Sequence, residues 1–507
     1  MSITQLVRPS LDGLIQCIKP LGVLDSIASV LGWDEETWMP PNGIHRRSEQ
    51  SAVLAQITHE RWVSDEFRRV LSPHVDLNTG VVNPDYTPIE SRLVAETYRQ
   101  WRKKTAIPTA FAARWATLTS EAQHCWQTAR NQNDYAQFAP HLDKIVTAVR
   151  EKVQYLGYSD HPYDALLDCF EPGMTTQRLT TIFDPLKQGI RQKLAQCSGG
   201  NRPYISGVFD TNKQWDLGVM ILKKMGFDFN RGRQDQSAHP FTTTFGLNDV
   251  RITTRFSDTD ILEGLSSTIH EGGHALYEQG LDPQWADTPL GSACSLGIHE
   301  SQSRLWEVMV GRHAAFWQGI HPHMQSLFPN NVGSRDHSTL YRYVNHVSPG
   351  PIRVSADEVS YNMHILIRFE LEKQMVQGSI DAMALRDLWN EYYYNELGVR
   401  VCDDRTGILQ DVHWSAGLIG YFPTYALGNL YSVMLFNAAK QAIPNLETKI
   451  MALDFLPLTR WLNQTIHRYG NVYASETLIQ MATGESLSAS PFLNYLSDKY
   501  PIIDSPG

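Results

Sequence analysis

Apolar residues recur at intervals of three and four along most of this chain, the period of an amphipathic helix. Over residues 89–104 (IESRLVAETYRQWRKK), Leu93, Tyr98 and Trp101 fall among charged residues at that spacing, which predicts a helix. Residues 139–156 and 176–196 read the same way. Proline and glycine mark the breaks: Pro172 and Gly173 end one element, and Thr175 or Thr176 offers an N-cap for the next. Residues 72–88, rich in Pro, Asn, Gly and Asp, read as a surface loop. Helical patterns of similar character flank that loop, so a single domain over 1–507 is expected. One region breaks the helical period. Residues 202–210 and 239–256 are rich in Thr, Phe, Ile and Val. Residues 243–245 and 250–256 are predicted as two strands joined by a Gly-Leu-Asn-Asp turn, a small antiparallel sheet. Its edge could hold an extended peptide by strand addition.

Composition narrows the picture. The chain is 42% hydrophobic and 19% charged, an ordinary globular balance with ample material for a core. The formal net charge of −10 argues against nucleic acid as a partner. No run of about 18 apolar residues appears, so no membrane span is expected. The N-terminus lacks the basic start, apolar block and small-residue cleavage site of a signal peptide. Six cysteines (Cys17, Cys125, Cys169, Cys197, Cys294, Cys402) are scattered with no CxxC, which suggests reduced thiols and a cytoplasmic location.

The chemistry is concentrated in residues 266–278, which contain His270-Glu271-Gly272-Gly273-His274. Residues four apart on a helix share a face, so two imidazoles there can grip one zinc ion. Glu271 then reaches the open coordination position, where it can accept a proton from water. A chance match somewhere in a histidine-rich chain has a probability of roughly a few per cent, but the flanking Leu265, Ile269, Leu276 and Tyr277 are helical in pattern. Gly272 and Gly273 sit mid-helix, where each costs about 1 kcal/mol relative to alanine. That tolerance implies a need for backbone clearance, for a substrate chain or a tightly packed neighbour. A catalytic zinc takes a third protein ligand. The candidates are Glu300, His299, Glu278 and Asp282.

Several segments together resemble the carboxypeptidase Taq family of metallocarboxypeptidases over nearly the whole length. They are residues 32–41 (GWDEETWMPP), 163–174 (YDALLDCFEPGM), 239–241 (HPF), 249–253 (DVRIT), 270–274 (HEGGH) and 299–302 (HESQ). They continue with 352–357 (IRVSAD), 407–414 (GILQDVHW) and 420–425 (GYFPTY). The resemblance implies a mostly helical, neurolysin-like zincin with a deep active-site groove, the small antiparallel sheet lying beside the motif helix. It implies Glu300 as the third ligand, removal of single residues from peptide C-termini with broad specificity and poor cleavage near proline, and a homodimer. Zinc is the expected ion, with cobalt or manganese as substitutes.

A carboxypeptidase must recognise a terminal carboxylate, which suits the planar fork of arginine. Arg251, Arg255, Arg353 and Arg405 are candidates, and the resemblance favours Arg353. The alternative for Arg353 is an ion pair with Asp357 four residues on. Arg251, on a predicted strand near Asp249, is expected to brace the groove wall. His413 and Tyr421 fit the role of donors to the oxyanion, with Tyr425 the rival to Tyr421 and core packing the alternative for both tyrosines. Asp411 could orient His413. His239 could donate to a substrate carbonyl or anchor a strand, and Gln410 is a possible substrate contact.

Overall fold

The computed structural model describes residues 7–197, 202–203, 205 and 207–501. The expected helices form, with the capping that their sequences prescribe. Residues Pro88–Ala106 start with Pro88 in the first turn and a reciprocal cap between Thr87 and Glu90. Helices Tyr135–Leu156 and Thr176–Cys197 occupy the other two predicted spans. Thr175 caps the second of them, its Oγ1 accepting from Arg178 N at 3.1 Å.

The sheet departs from expectation. It has three strands, β1 (Gly232–Gln236), β2 (Thr242–Thr244) and β3 (Val250–Thr254), in the order β1-β3-β2. β2 and β3 are antiparallel as predicted, but β1 adds a parallel pairing, so the sheet is mixed. The sequence of β1, GRQDQ, has no apolar residue and gave no periodic signal. Its order is imposed by the ladder with β3, in which Val250 and Ile252 are buried. Of the strand-like stretch 202–210, Tyr204 and Ser206 lie outside the described residues, and the rest carries no strand.

Two apolar cores result. The larger spans most of the chain. The smaller joins the N-terminal helices through Leu14, Ile18, Trp62 and Leu93, and is closed by Trp285, Leu290 and Val472 from the larger body. The first helix, Asp12–Thr37, buries Leu14, Ile15, Ile18 and Leu21 on one face and leaves Val23, Ile27 and Val30 exposed. By length and composition alone, the stretch 9–37 containing it is apolar enough to cross a membrane, although no unbroken apolar run occurs.

Three helices meet at the centre: Ile261–Gly280, which carries the metal motif, Leu296–Arg304 and Pro423–Ala442. Asp260 caps the first, accepting from Leu262 N at 2.9 Å. The mid-helix glycines have a packing reason. A Cβ on Gly273 would lie 2.6 Å from Gln302 O and 2.7 Å from Ser303 Cα, which is backbone and cannot yield. A Cβ on Gly428 would lie 2.5 Å from Glu300 Cγ. Gly272 faces only the side chains of Leu222 and Met225. The clearance therefore serves a neighbouring helix.

Helix propensity alone predicts that Gly273→Ala stabilises the fold; the packing predicts a loss of about 1–3 kcal/mol. Gly32→Ala, in a helix with nothing within 4 Å of the new methyl, is expected to gain up to about 1 kcal/mol. Denaturant unfolding of both variants checks the contrast.

Candidate active site

The close approach of the motif helix and the Glu300 helix brings three ligand types to one point. His270, His274 and Glu300 each offer a donor atom, all within 4.8 Å of one another. Glu300 Oε2 lies 3.7 Å from His270 Nε2 and 3.4 Å from His274 Nε2. His270 Nδ1 is 2.8 Å from Glu307 Oε2, so Nδ1 carries the proton and Nε2 keeps its lone pair for a metal. Two imidazoles and one carboxylate, converging from two helices with donor atoms turned towards each other, fit a divalent ion of the zinc type. His299 and Glu278, the rival ligands, pair with each other at 2.8 Å, and Asp282 caps a short 3-10 turn.

The cluster is electrostatically primed for a cation. Burial raises the Glu300 carboxyl, but His270, His274 and Arg304 outweigh it and bring it to about 2. Burial pulls the His270 imidazole down, yet Glu300, Glu307 and Glu271 around it raise it to about 9. Glu307 is held well below the usual carboxylate range: burial acts upward, and Arg304 and His270 more than reverse it. Arg304 Nη1 donates to Glu307 at 2.7 Å and its Nε to Asn429 at 2.6 Å.

Glu271 is buried beside the ligands. Thr242 in β2 donates from Oγ1 to Glu271 Oε2 at 2.6 Å. The sheet thereby fixes the carboxylate that the motif helix delivers. Burial raises the Glu271 carboxyl, against His270 and the Thr242 hydrogen bond.

A second polar cluster lies along the same interior. Asp411 accepts from Arg353 (Nη2 at 2.8 Å) on Oδ1 and from Arg368 (Nη2 at 2.6 Å) on Oδ2. Two guanidiniums share one carboxylate, so the group carries one positive charge in excess. Arg353 Nη1 also donates to Tyr361 Oη at 3.2 Å, and Arg304 lies over the Tyr361 ring at 4.8 Å, which joins this cluster to the Glu300 helix. The ion pair considered between Arg353 and Asp357 is replaced by the one with Asp411, since Asp357 Oδ1 accepts from Val359 and Ser360 N. Asp411 approaches His413 Nδ1 only to 4.0 Å; the partner of His413 is Tyr425, with Nε2 and the hydroxyl 3.1 Å apart. Burial lowers His413 to about 4, so the ring is neutral near pH 7. Burial and the charge of Glu300 push Tyr421 up to about 12, which keeps its hydroxyl a donor.

The remaining candidates sit further out. Arg251 pairs with Asp249 at 2.8 Å and lies over the rings of Trp33 (4.4 Å) and Phe245 (4.5 Å), bracing the sheet against the first helix. His239 is exposed, its carbonyl accepting from Ser237 Oγ at 2.6 Å. The Gln410 amide engages backbone: Nε2 donates to Pro351, Thr406 and Gly407 carbonyls, and Oε1 accepts from Arg353 N at 2.8 Å. Arg255 pairs with Glu263, and Arg405 binds backbone carbonyls of Arg130 and Asn131. Sequence reasoning missed Thr242, Glu307, Tyr361 and Arg368. Glu307 was within reach, because it lies two helical turns beyond Glu300. Arg368 had no local signal, since its partner Asp411 is remote in sequence.

Known proteins resemble this chain over nearly its whole length. Residues 13–500 match the family described as carboxypeptidase Taq (M32) metallopeptidase. The chain is 39% identical to thermostable carboxypeptidase 1 of Pyrococcus furiosus over 480 residues, covering 93% of this chain and 94% of that protein. It is 38% identical to thermostable carboxypeptidase 1 of Thermus thermophilus over 509 residues, covering 96% and 98%. The crystal structure of the M32 carboxypeptidase from Deinococcus radiodurans R1 superposes with a TM-score of 0.92 at 35% identity, covering 97% of this chain and 99% of that one. Three side chains that could hold a metal, on two tightly packed helices, and matches of this length lead to one conclusion: the chain belongs to the carboxypeptidase Taq (M32) family of metallopeptidases.

Proposed function

We propose that the chain is a zinc metallocarboxypeptidase that releases single amino acids from the free C-termini of peptides, with broad specificity and poor cleavage near proline. The observation that carries this reading is the convergence of His270, His274 and Glu300 beside the buried Glu271. The two-imidazole, one-carboxylate set suits zinc, with cobalt or manganese as substitutes. When bound, the ion supplies Lewis acidity towards water and the scissile carbonyl. Glu271 takes the proton of the attacking water and passes it to the leaving amine. His413 and Tyr421 donate to the oxyanion that develops on the carbonyl, and Tyr425 holds His413 in place. Arg353 anchors the terminal carboxylate. Its cluster has the positive charge in excess that this needs, and three of its five N–H groups are engaged by Asp411 and Tyr361, which leaves two. Arg251 and His239 flank the groove, and Gln410 supports the Arg353 segment. The edge of β2 next to Glu271 is a place for an extended peptide to pair. A single-domain homodimer in the cytoplasm completes the reading. The scattered free cysteines support the location, and the dimer and the proline effect rest on the family resemblance.

Four outcomes test it. Glu271→Gln is expected to lower kcat by about 10²–10⁴-fold, the usual worth of a general base, with metal content by elemental analysis unchanged. Chelation is expected to abolish cleavage, and added zinc to restore it; activity that survives full removal of metal would refute the centre. On an N-blocked peptide, mass spectrometry should show a C-terminal ladder from the free acid and none from the amide. Arg353→Ala should lower kcat/KM on the free acid by about ten- to hundredfold, the worth of a charged hydrogen-bond pair. Arg368 still neutralises Asp411 in that variant, so the fold is expected to hold.

A further inference from the structure

His413 and Tyr421 sit at the two ends of an irregular segment that belongs to no helix or strand. Its internal bonds, such as Gly417 N to Trp414 O at 3.0 Å and Leu418 N to His413 O at 2.9 Å, shape the turns but do not attach them to the protein. Among the described residues, two hydrogen bonds reach residues 414–420 from another element, and both end on one side chain. Glu372 Oε1 accepts from Trp414 Nε1 at 2.8 Å, and Oε2 accepts from Gly420 N at 2.9 Å. Trp414 directly follows His413, and Gly420 directly precedes Tyr421. Glu372 is fully buried on the helix Tyr361–Gln377, and Tyr163 Oη donates to its Oε2 at 2.5 Å.

We propose that Glu372 is a positioning residue for catalysis, a buried carboxylate that holds His413 and Tyr421 at their working separation by gripping the residues next to each. This rests on the roles given to His413 and Tyr421 above. The helix is well placed for the task. One turn before Glu372, Arg368 holds Asp411, so successive turns fix the segment before, just after and far beyond His413. A carboxylate is the side chain the position requires. Three donors converge on two oxygens, and neither an amide nor an apolar group can accept all three. Burial pushes the Glu372 carboxyl up to about 7, against the three hydrogen bonds and Arg368. The metal ligands lie on other helices, which makes the two functions separable.

The test compares Glu372→Gln, Trp414→Phe and Tyr163→Phe in the zinc-loaded enzyme, alongside His413→Ala. Glu372→Gln keeps the shape but turns an NH₂ towards a donor. It should lower kcat by about tenfold to a hundredfold, the scale of a misplaced catalytic group, with KM and zinc content nearly unchanged. Trp414→Phe removes one of the two grips and should act in the same direction. Tyr163→Phe removes a donor that does not belong to the segment, so it should cost stability in thermal unfolding without a comparable fall in kcat. Glu372→Gln should cost less in a His413→Ala background than in the parent, because the part of its effect that acts through His413 is already lost. If Glu372→Gln fails to fold, the contrast between Trp414→Phe and Tyr163→Phe decides. Equal falls in kcat for those two at equal stability loss would mean a merely structural carboxylate and overturn the proposal. If His413→Ala lowers kcat while Glu372→Gln leaves it intact, positioning alone fails. If His413→Ala leaves kcat intact, the role of His413 fails first and takes the inference with it.

Discussion

The backbone contact between the motif helix and the Glu300 helix is the constraint on which the site depends. Gly273 lets Gln302 and Ser303 approach as no other residue could, and Gly428 gives Glu300 room on its far side. A helix interior loses about 1 kcal/mol for each glycine, and the chain accepts this to place a carboxylate within reach of two imidazoles. Ligand atoms on separate helices remain convergent only while the interhelical distance is fixed.

The second constraint is charge. Glu271, Glu300, Glu307 and Asp411 lie in the interior together with Arg304, Arg353 and Arg368. Buried charge is tolerated only when each group has partners, and the arrangement here is close to complete. Arg304 serves Glu307 and Asn429, and Arg353 and Arg368 divide Asp411 between them. Two imbalances remain, and each lies where the proposed function places a ligand of opposite sign. The excess of carboxylates around His270 suits a cation, and the excess of guanidinium around Asp411 suits an anion. Stability and recognition therefore come from the same groups.

The sequence showed the local parts of this design and hid the distant ones. Period placed the helices at 89–104 and 176–196, a cap marked the start of the second, and the His-Glu-x-x-His spacing put His270, Glu271 and His274 on one helix, because these signals are complete within one or two turns. The strand β1 was illegible because its polar residues are ordered only by pairing with β3. Asp357 was weighed against Arg353 for its helical spacing, but no helix joins them: Arg353 sits in a short 3-10 turn, and its true partner lies in another loop. Likewise Asp411 is close to His413 in sequence but is committed to Arg368 on a helix that local reading could not bring near. Pairings across long sequence separations are decided by packing, which a periodic pattern does not encode.

Secondary structure also explains why the site is part helix and part loop. Two imidazoles on one ion need side chains one turn apart, which a helix supplies with high precision. His413 and Tyr421 are eight residues apart, and a helix would separate them by about 12 Å along its axis. Their rings are 5.4 Å apart, so the chain must double back between them. The reversal runs through positive φ at Gly417 (70°) and Gly420 (94°), which glycine adopts without strain. A segment that turns so tightly forgoes the ladder of hydrogen bonds that stiffens a helix, and its order must come from outside. Glu372 and Arg368, one turn apart on a straight buried helix, supply that order. The regularity of one element is thus lent to another whose work demands irregular backbone.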